Sequence, residues 1–192
     1  MDVLEAGVGY SLTRIRNELD AVIDELVHRD PLALARTADL ISAAPRVFVF
    51  GAGRSGLALR MTAMRFMHLG LDAHVVGEVT APAIGKDDLL LVASGSGTTG
   101  GIVGAASTAI DAGARVAAIT TAPHSPLAGL AAATIIVPAA DKLDRSGTAS
   151  AQYAGSLFEQ TVMILGDALF HALWQRSGQT ADELWPRHAN IE

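Results

Sequence analysis

The 192-residue chain contains no cysteine, which excludes disulfides, thiolate nucleophiles and cysteine-ligated metals. Charged residues are also scarce, at 18% of the total. That leaves little material for a fully solvated surface, so part of the surface is expected to be covered by other copies of the chain. Fourteen basic residues stand against twenty acidic ones, a net charge of -6 that argues against a nucleic-acid partner. No apolar run approaches the roughly 20 residues that cross a bilayer. The opening MDVLEAGVGY lacks the basic-then-apolar order of a secretory signal. A soluble, cytoplasmic protein with no membrane partner is expected.

What is abundant is apolar and small. Half the residues are hydrophobic and nineteen are glycine, and 192 residues fit a single domain, 1–192, with a sizeable core. An N-terminal helical segment covers about 10–42. Leu12, Ile15, Leu19, Ile23 and Leu26 recur at helical spacing, and Asp30-Pro31 supplies an N-cap and a first-turn proline for a second helix ending before Pro45. Strand and helix then alternate. Strands are predicted at Val47–Phe50, His74–Val76, Leu89–Ala93, Val116–Thr120 and Thr134–Val137, with helices at Ser55–Leu69, Gly101–Ala112 and Pro126–Ala131. Runs without polar alternation, such as Leu89–Ala93, fit central strands covered on both faces. The pattern predicts an α/β fold, a three-layer α-β-α sandwich around a five-stranded parallel sheet.

A polar loop, Asp141–Thr148, precedes a long helix predicted from about Gln152 to Trp174. That helix is apolar on nearly every side, so a subunit interface is expected along it. The polar tail, about 181–192, is expected to dock on a surface through Trp185-Pro186 and Ile191.

Two small-residue turns follow predicted strands and open predicted helices. The first, Gly51-Ala52-Gly53-Arg54-Ser55-Gly56, matches GxGxxG, but a dinucleotide site needs an acidic residue at the end of the second strand. Asp72 precedes that strand and Glu78 follows it, so a nicotinamide-dependent oxidoreductase is disfavoured and a ligand-free steric turn stays open. The second turn, Ser94-Gly95-Ser96-Gly97-Thr98-Thr99, crowds four hydroxyls into six residues, where capping needs only one. Hydroxyls and free helix-terminal amides together suit a phosphate group. The GxxxxGK[ST] arrangement is absent, which argues against ATP hydrolysis.

Glu159 is the candidate base. It lies two residues past Leu157, about 200° around the helix, between apolar neighbours expected to raise its proton affinity. Glu78 is the competitor, and an ordinary surface glutamate is the bland alternative. Among the histidines, His68 closes the first crossover helix and His188 lies in the tail. Either suits proton transfer near neutral pH. No histidine or carboxylate cluster has metal-ligand spacing, so no metal and no cofactor are expected.

The segments VFVFGAGRSGLALRMTAMRFMHLG, VVGEVTAPAIGKDDLLLVASGSGTTG, AGSLFEQTVMILGDAL and RHANIE closely resemble the 6-phospho-3-hexuloisomerases of the sugar isomerase (SIS) domain class. The SLFE helix and the RHAN tail are the more specific parts of this resemblance. It implies an SIS-type five-stranded parallel sheet, a homo-oligomer, usually a tetramer, and a phosphorylated hexulose substrate. The implied reaction interconverts D-arabino-3-hexulose 6-phosphate and D-fructose 6-phosphate in formaldehyde fixation through ribulose monophosphate. Carried onto this chain, the phosphate region falls on Ser55 and on Ser94, Gly95, Ser96, Gly97, Thr98 and Thr99. The catalytic glutamate falls on Glu159, and the histidines on His188 and His68. Related sites often carry glutamate after the SGSG turn, where this chain has Thr98. A non-catalytic sugar-phosphate regulatory domain is the alternative reading, although no DNA-binding segment is evident.

Overall fold

The computed structural model describes residues 7–140, 144, 146–147 and 150–191, so the polar loop expected at Asp141–Thr148 lies largely outside them. Two helices come first, α1 (Val8–Arg29) and α2 (Pro31–Ala43). Asp30 caps α2 as expected, its carboxylate accepting from the Ala33 N–H at 2.9 Å. Then follow β1 (Val47–Gly51), α3 (Gly53–Leu69), β2 (Ala73–Val75), β3 (Leu89–Ala93), α4 (Gly100–Asp111), β4 (Arg115–Thr120), α5 (Pro126–Leu130) and β5 (Ala133–Ile136). The chain closes with α6 (Ser156–Ser177), α7 (Ala181–Leu184) and a 3-10 turn at Trp185–Arg187.

The five strands form one parallel sheet in the order β2-β1-β3-β4-β5. Alternate residues face opposite layers, as the pleat requires. Val47, Val49, Leu89, Leu91, Ala117 and Ile119 pack against α1, α2, α3 and α6. Phe48, Leu90, Val92, Val116 and Ala118 pack against α4 and α5. Every residue of β3 is buried, which accounts for its uninterrupted apolar run. The architecture is therefore the expected three-layer α-β-α sandwich.

Two details of the sheet place the site. The chain leaves β1 through α3 to β2 on one side, and β3 pairs with β1 on the other, so the winding reverses between β1 and β3. Helices α3 and α4 consequently lie on opposite faces, and a crevice opens where they part. The register pairs Val47 with Leu89 and Gly51 with Ala93, so the turns after both strands start level. At the far end Arg46 bonds buried Asp88 through Nε (3.1 Å) and Nη2 (2.6 Å), tying the starts of the two strands together. Burial raises the Asp88 carboxyl pKa, but Arg46 and the Gly85 N–H outweigh it and hold the group below its ordinary value.

Helix α6 begins at Ser156, four residues later than expected. Ala154 adopts a left-handed φ of 52°, which helix geometry excludes, and Ser150–Gln152 are held elsewhere by α1. The apolar sides of α6 are largely covered by its own chain, chiefly α3, with α1 and α2 beside it. On α6 itself Met163 and Ala168 stay exposed, and a longer exposed apolar row lies on α3, where Leu57, Met61, Met64 and Met67 recur at helical spacing. Among the described residues no helix is long and apolar enough to cross a membrane.

Candidate active site

The crevice between β1 and β3 is a cavity of about 800 Å³. Its floor is Ala93 and Ile102, and its walls are the two turns and the start of α6. Ser55, Ser94, Gly95, Ser96, Thr98, Thr99 and Glu159 all line it, brought together from positions up to 104 residues apart in sequence.

The first turn has a steric explanation of its own. A Cβ on Gly56 would run into the Gly51 carbonyl oxygen, so these glycines let α3 start directly against β1. Ser55, buried between them and the cavity, supplies the hydroxyl. In the second turn the hydroxyls pair with one another. Ser94 Oγ lies 2.9 Å from Thr99 Oγ1, and Thr98 Oγ1 donates to Ser96 Oγ at 3.0 Å. Thr99 is the N-cap of α4, yet its side chain makes no capping bond. Capping therefore does not account for these hydroxyls. Gly97 does not line the cavity. Its φ of 62° bends the turn, and a Cβ there would strike Ser125 Oγ. Three threonine donors, Thr120 Oγ1, Thr121 Oγ1 and the Thr121 N–H, fix the Gly95 carbonyl behind the turn.

Three helices begin at this cavity. Ala52, Thr99 and Gly155 are the N-caps of α3, α4 and α6, and none provides a side-chain cap. Each helix start carries a partial positive charge and unsatisfied N–H groups, so their convergence favours a bound anion.

Glu159 lies in the first turn of α6 with its side chain mostly covered, but its surroundings differ from the apolar ones expected. Arg54 Nε sits 2.8 Å from Glu159 Oε2, in an ion pair between α3 and α6. Arg54 was legible inside the first turn without an assigned role. Its signal is a cation in the first turn of a helix, where the dipole disfavours it. Tyr153, Ala154 and Gly155 also line the cavity, and sequence periodicity gave no sign of them. Glu78 is not among the lining residues. It pairs with Arg60 at 2.7 Å.

The histidines lie apart from the cavity. His68 is thirteen residues beyond Ser55 on α3, about 20 Å away at 1.5 Å per residue. His188 stacks on it with ring centroids 4.0 Å apart. Burial, then His188, then Arg65 push the His68 pKa below its ordinary value, and its Nδ1 is buried without a partner. The tail is docked, though not by the residues expected. Trp185 and Ile191 are exposed, whereas Leu184 is buried and Arg187 bonds the carbonyls of His68 and Glu183 and the side chain of Gln179. Among the described residues no cluster of three or more acidic or histidine side chains is placed to hold a metal ion.

Residues 40–170 match the SIS domain family. Over 182 residues the chain is 56% identical to a 3-hexulose-6-phosphate isomerase from Mycobacterium gastri, covering 93% of this chain and 92% of that protein. A 3-hexulose-6-phosphate isomerase from Bacillus subtilis is 38% identical over 81% of this chain and 84% of its own length. The chain belongs to the SIS-domain 3-hexulose-6-phosphate isomerase family. Within it, a crystal structure from Methanococcus jannaschii, whose molecular function was inferred as 3-hexulose-6-phosphate isomerase, superposes with a TM-score of 0.80. It is 30% identical and covers 95% of this chain and 99% of its own.

Proposed function

We propose that the protein is an isomerase interconverting D-arabino-3-hexulose 6-phosphate and D-fructose 6-phosphate, with Glu159 as the base. One observation carries the reading: Glu159 and the hydroxyls of Ser94–Thr99 line the same cavity, so a sugar anchored there by its phosphate lies beside a carboxylate. The Mycobacterium gastri and Bacillus subtilis relatives bear the name of this activity.

In the 3-hexulose the carbonyl is at C3. Glu159 takes the proton from C2, the released electron pair forms the C2–C3 double bond, and O3 takes up charge. Returning the proton to C3 while O2 becomes the carbonyl oxygen completes the transfer. One carboxylate serves both steps if the planar enediol keeps the same face toward it. The phosphate, held by Ser55, Ser94, Ser96, Thr98 and Thr99 with the helix-terminal amides, orients the reacting carbons through binding energy remote from them.

The remaining proton moves between O2 and O3, and His188 backed by His68 is the proposed shuttle. The roughly 20 Å along α3 places this pair beyond reach of the cavity in the same copy. It would act from a neighbouring copy, in an assembly that the family expectation makes a tetramer. The exposed row Leu57, Met61, Met64 and Met67 supports such an assembly, because two α3 helices packed antiparallel set the end of one beside the start of the other.

Incubation of the purified protein with fructose 6-phosphate in deuterated water tests the reading. Exchange at the carbon-bound positions, with 3-hexulose 6-phosphate formed, is the expected result. Binding without exchange would make the protein a sugar-phosphate receptor.

A further inference from the structure

The Arg54–Glu159 pair presents a difficulty for the proposed chemistry that the rest of the cavity answers. A carboxylate oxygen held 2.8 Å from a guanidinium is poorly placed to take a proton from carbon. Yet the pair is weakly held. The Arg54 side chain is 62% exposed, and Arg54 stands in the first turn of α3, where the helix dipole repels a cation. Among the described residues the guanidinium donates no well-aligned hydrogen bond. Arg54 also lines the cavity together with Ser94, Ser96, Thr98 and Thr99. An arriving phosphate dianion offers the guanidinium a bidentate, charge-assisted contact stronger than an exposed ion pair.

We infer that Arg54 is a substrate-operated latch on Glu159: phosphate binding at the hydroxyl turn draws the guanidinium away and frees the carboxylate. The inference rests on Glu159 being the base and on the hydroxyl turn holding phosphate. It adds a specificity device to them. A sugar lacking the phosphate enters a cavity whose base is still occupied, so discrimination acts on turnover as well as on binding.

The test divides the substrate into pieces. Deuterium exchange into unphosphorylated fructose is followed with and without phosphite dianion, for the wild type and for Arg54→Ala. In the wild type phosphite is expected to accelerate exchange at least tenfold. In Arg54→Ala, exchange without phosphite should be several-fold faster than in the wild type, and phosphite should change it less than twofold. A wild type indifferent to phosphite, or a variant that retains the full acceleration, overturns the latch. A second measurement needs no variant. The Arg54 Nε–H resonance of the wild type is expected to shift when inorganic phosphate saturates the site, as reported by the Ser94–Thr99 amides. An unmoved Arg54 signal with shifted amides overturns the latch and leaves the phosphate site standing. Absence of exchange into fructose 6-phosphate itself would instead remove the isomerase reading.

Discussion

His188 lies face to face with His68, ring centroids 4.0 Å apart and planes 21° from parallel, and Trp185 packs on the same ring at 4.7 Å. The pair joins the end of α3 to the tail and leaves the inner imidazole almost wholly buried.

Burial holds His68 neutral, and this sets a direction for stability against pH. Its folded pKa is below the ordinary 6.5, so as pH falls the unfolded chain takes up the proton first and stability declines. The contribution is complete above about 6.5 and is lost as pH drops through the folded value. Denaturant titrations at pH 7.5 and 5.5 should show His68→Gln losing less stability between the two than the wild type. Equal losses would contradict the assignment.

Glu159→Gln is expected to lower turnover at least roughly 10²-fold, the usual scale of general acid–base catalysis. Fructose 6-phosphate affinity should change little, because the amide keeps the shape and Arg54 becomes freer to meet phosphate. Steady-state kinetics with calorimetry checks both halves. Near wild-type turnover would return attention to Glu78.

The variant carrying Ser94→Ala, Ser96→Ala and Thr99→Ala should weaken fructose 6-phosphate binding far more than binding of fructose. A hydrogen bond to a charged group is worth about 1.5–3 kcal/mol, roughly tenfold or more in affinity. The Ser94–Thr99 hydroxyl pair makes single replacements non-additive, since each leaves the other hydroxyl free to turn toward the ligand. Calorimetry showing equal losses for both sugars would place the phosphate elsewhere.

Deleting residues 186–192 should reduce turnover well beyond its effect on melting temperature, and His188→Ala should reproduce much of the loss. Mixing Glu159→Gln protomers with His188→Ala protomers should restore activity as subunits exchange, since some cavities then receive both native groups. If exchange is confirmed and nothing is recovered, the histidine does not act across copies.

Glu18 should matter to a site it does not touch. Its carboxylate accepts from Ser150 Oγ (2.7 Å), the Ala151 N–H (2.9 Å) and Gln152 Nε2 (3.1 Å), holding the segment that leads into Tyr153–Gly155. Burial raises its pKa, but these donors and Arg14 prevail and hold it below the ordinary 4.5. The clasp is therefore complete above about pH 4.5 and lost as pH falls through the lowered value. Glu18→Ala should speed amide exchange at Ala151 and lower kcat. Unchanged exchange there would remove the clasp from the account.

Local signals carried far in this chain. The run Leu89–Ala93 is a strand with the expected bounds because burial on both faces leaves no room for polar residues. Strands β2, β4 and β5 each begin one residue earlier than expected, because ladder pairing extends past the apolar run that marks a strand in sequence. Both turns and Glu159 could be read from residue type and position. The partners of Glu159 and Glu18 could not, because Arg54 is 105 residues from the first and Ser150 is 132 from the second. Such contacts are made by the packing of whole helices. The tail misled for a related reason. Trp185 and Ile191 look like anchors by hydrophobicity, but α7 turns Leu184 inward and Arg187 finds the His68 carbonyl at the end of α3.

The stretch that matches the SIS domain, residues 40–170, contains both turns and Glu159 but neither Glu18 nor His188. The proposed phosphate turns and the proposed base thus sit together in the shared segment, while the clasp on the approach loop and the outer histidine sit in the flanks. A protein keeping only the middle would keep the proposed base and phosphate turns but lose the clasp and the outer histidine. The crevice and its base can therefore pass unchanged between proteins whose flanks differ, and the flanks are where an approach loop is steadied and a neighbouring copy's cavity is met.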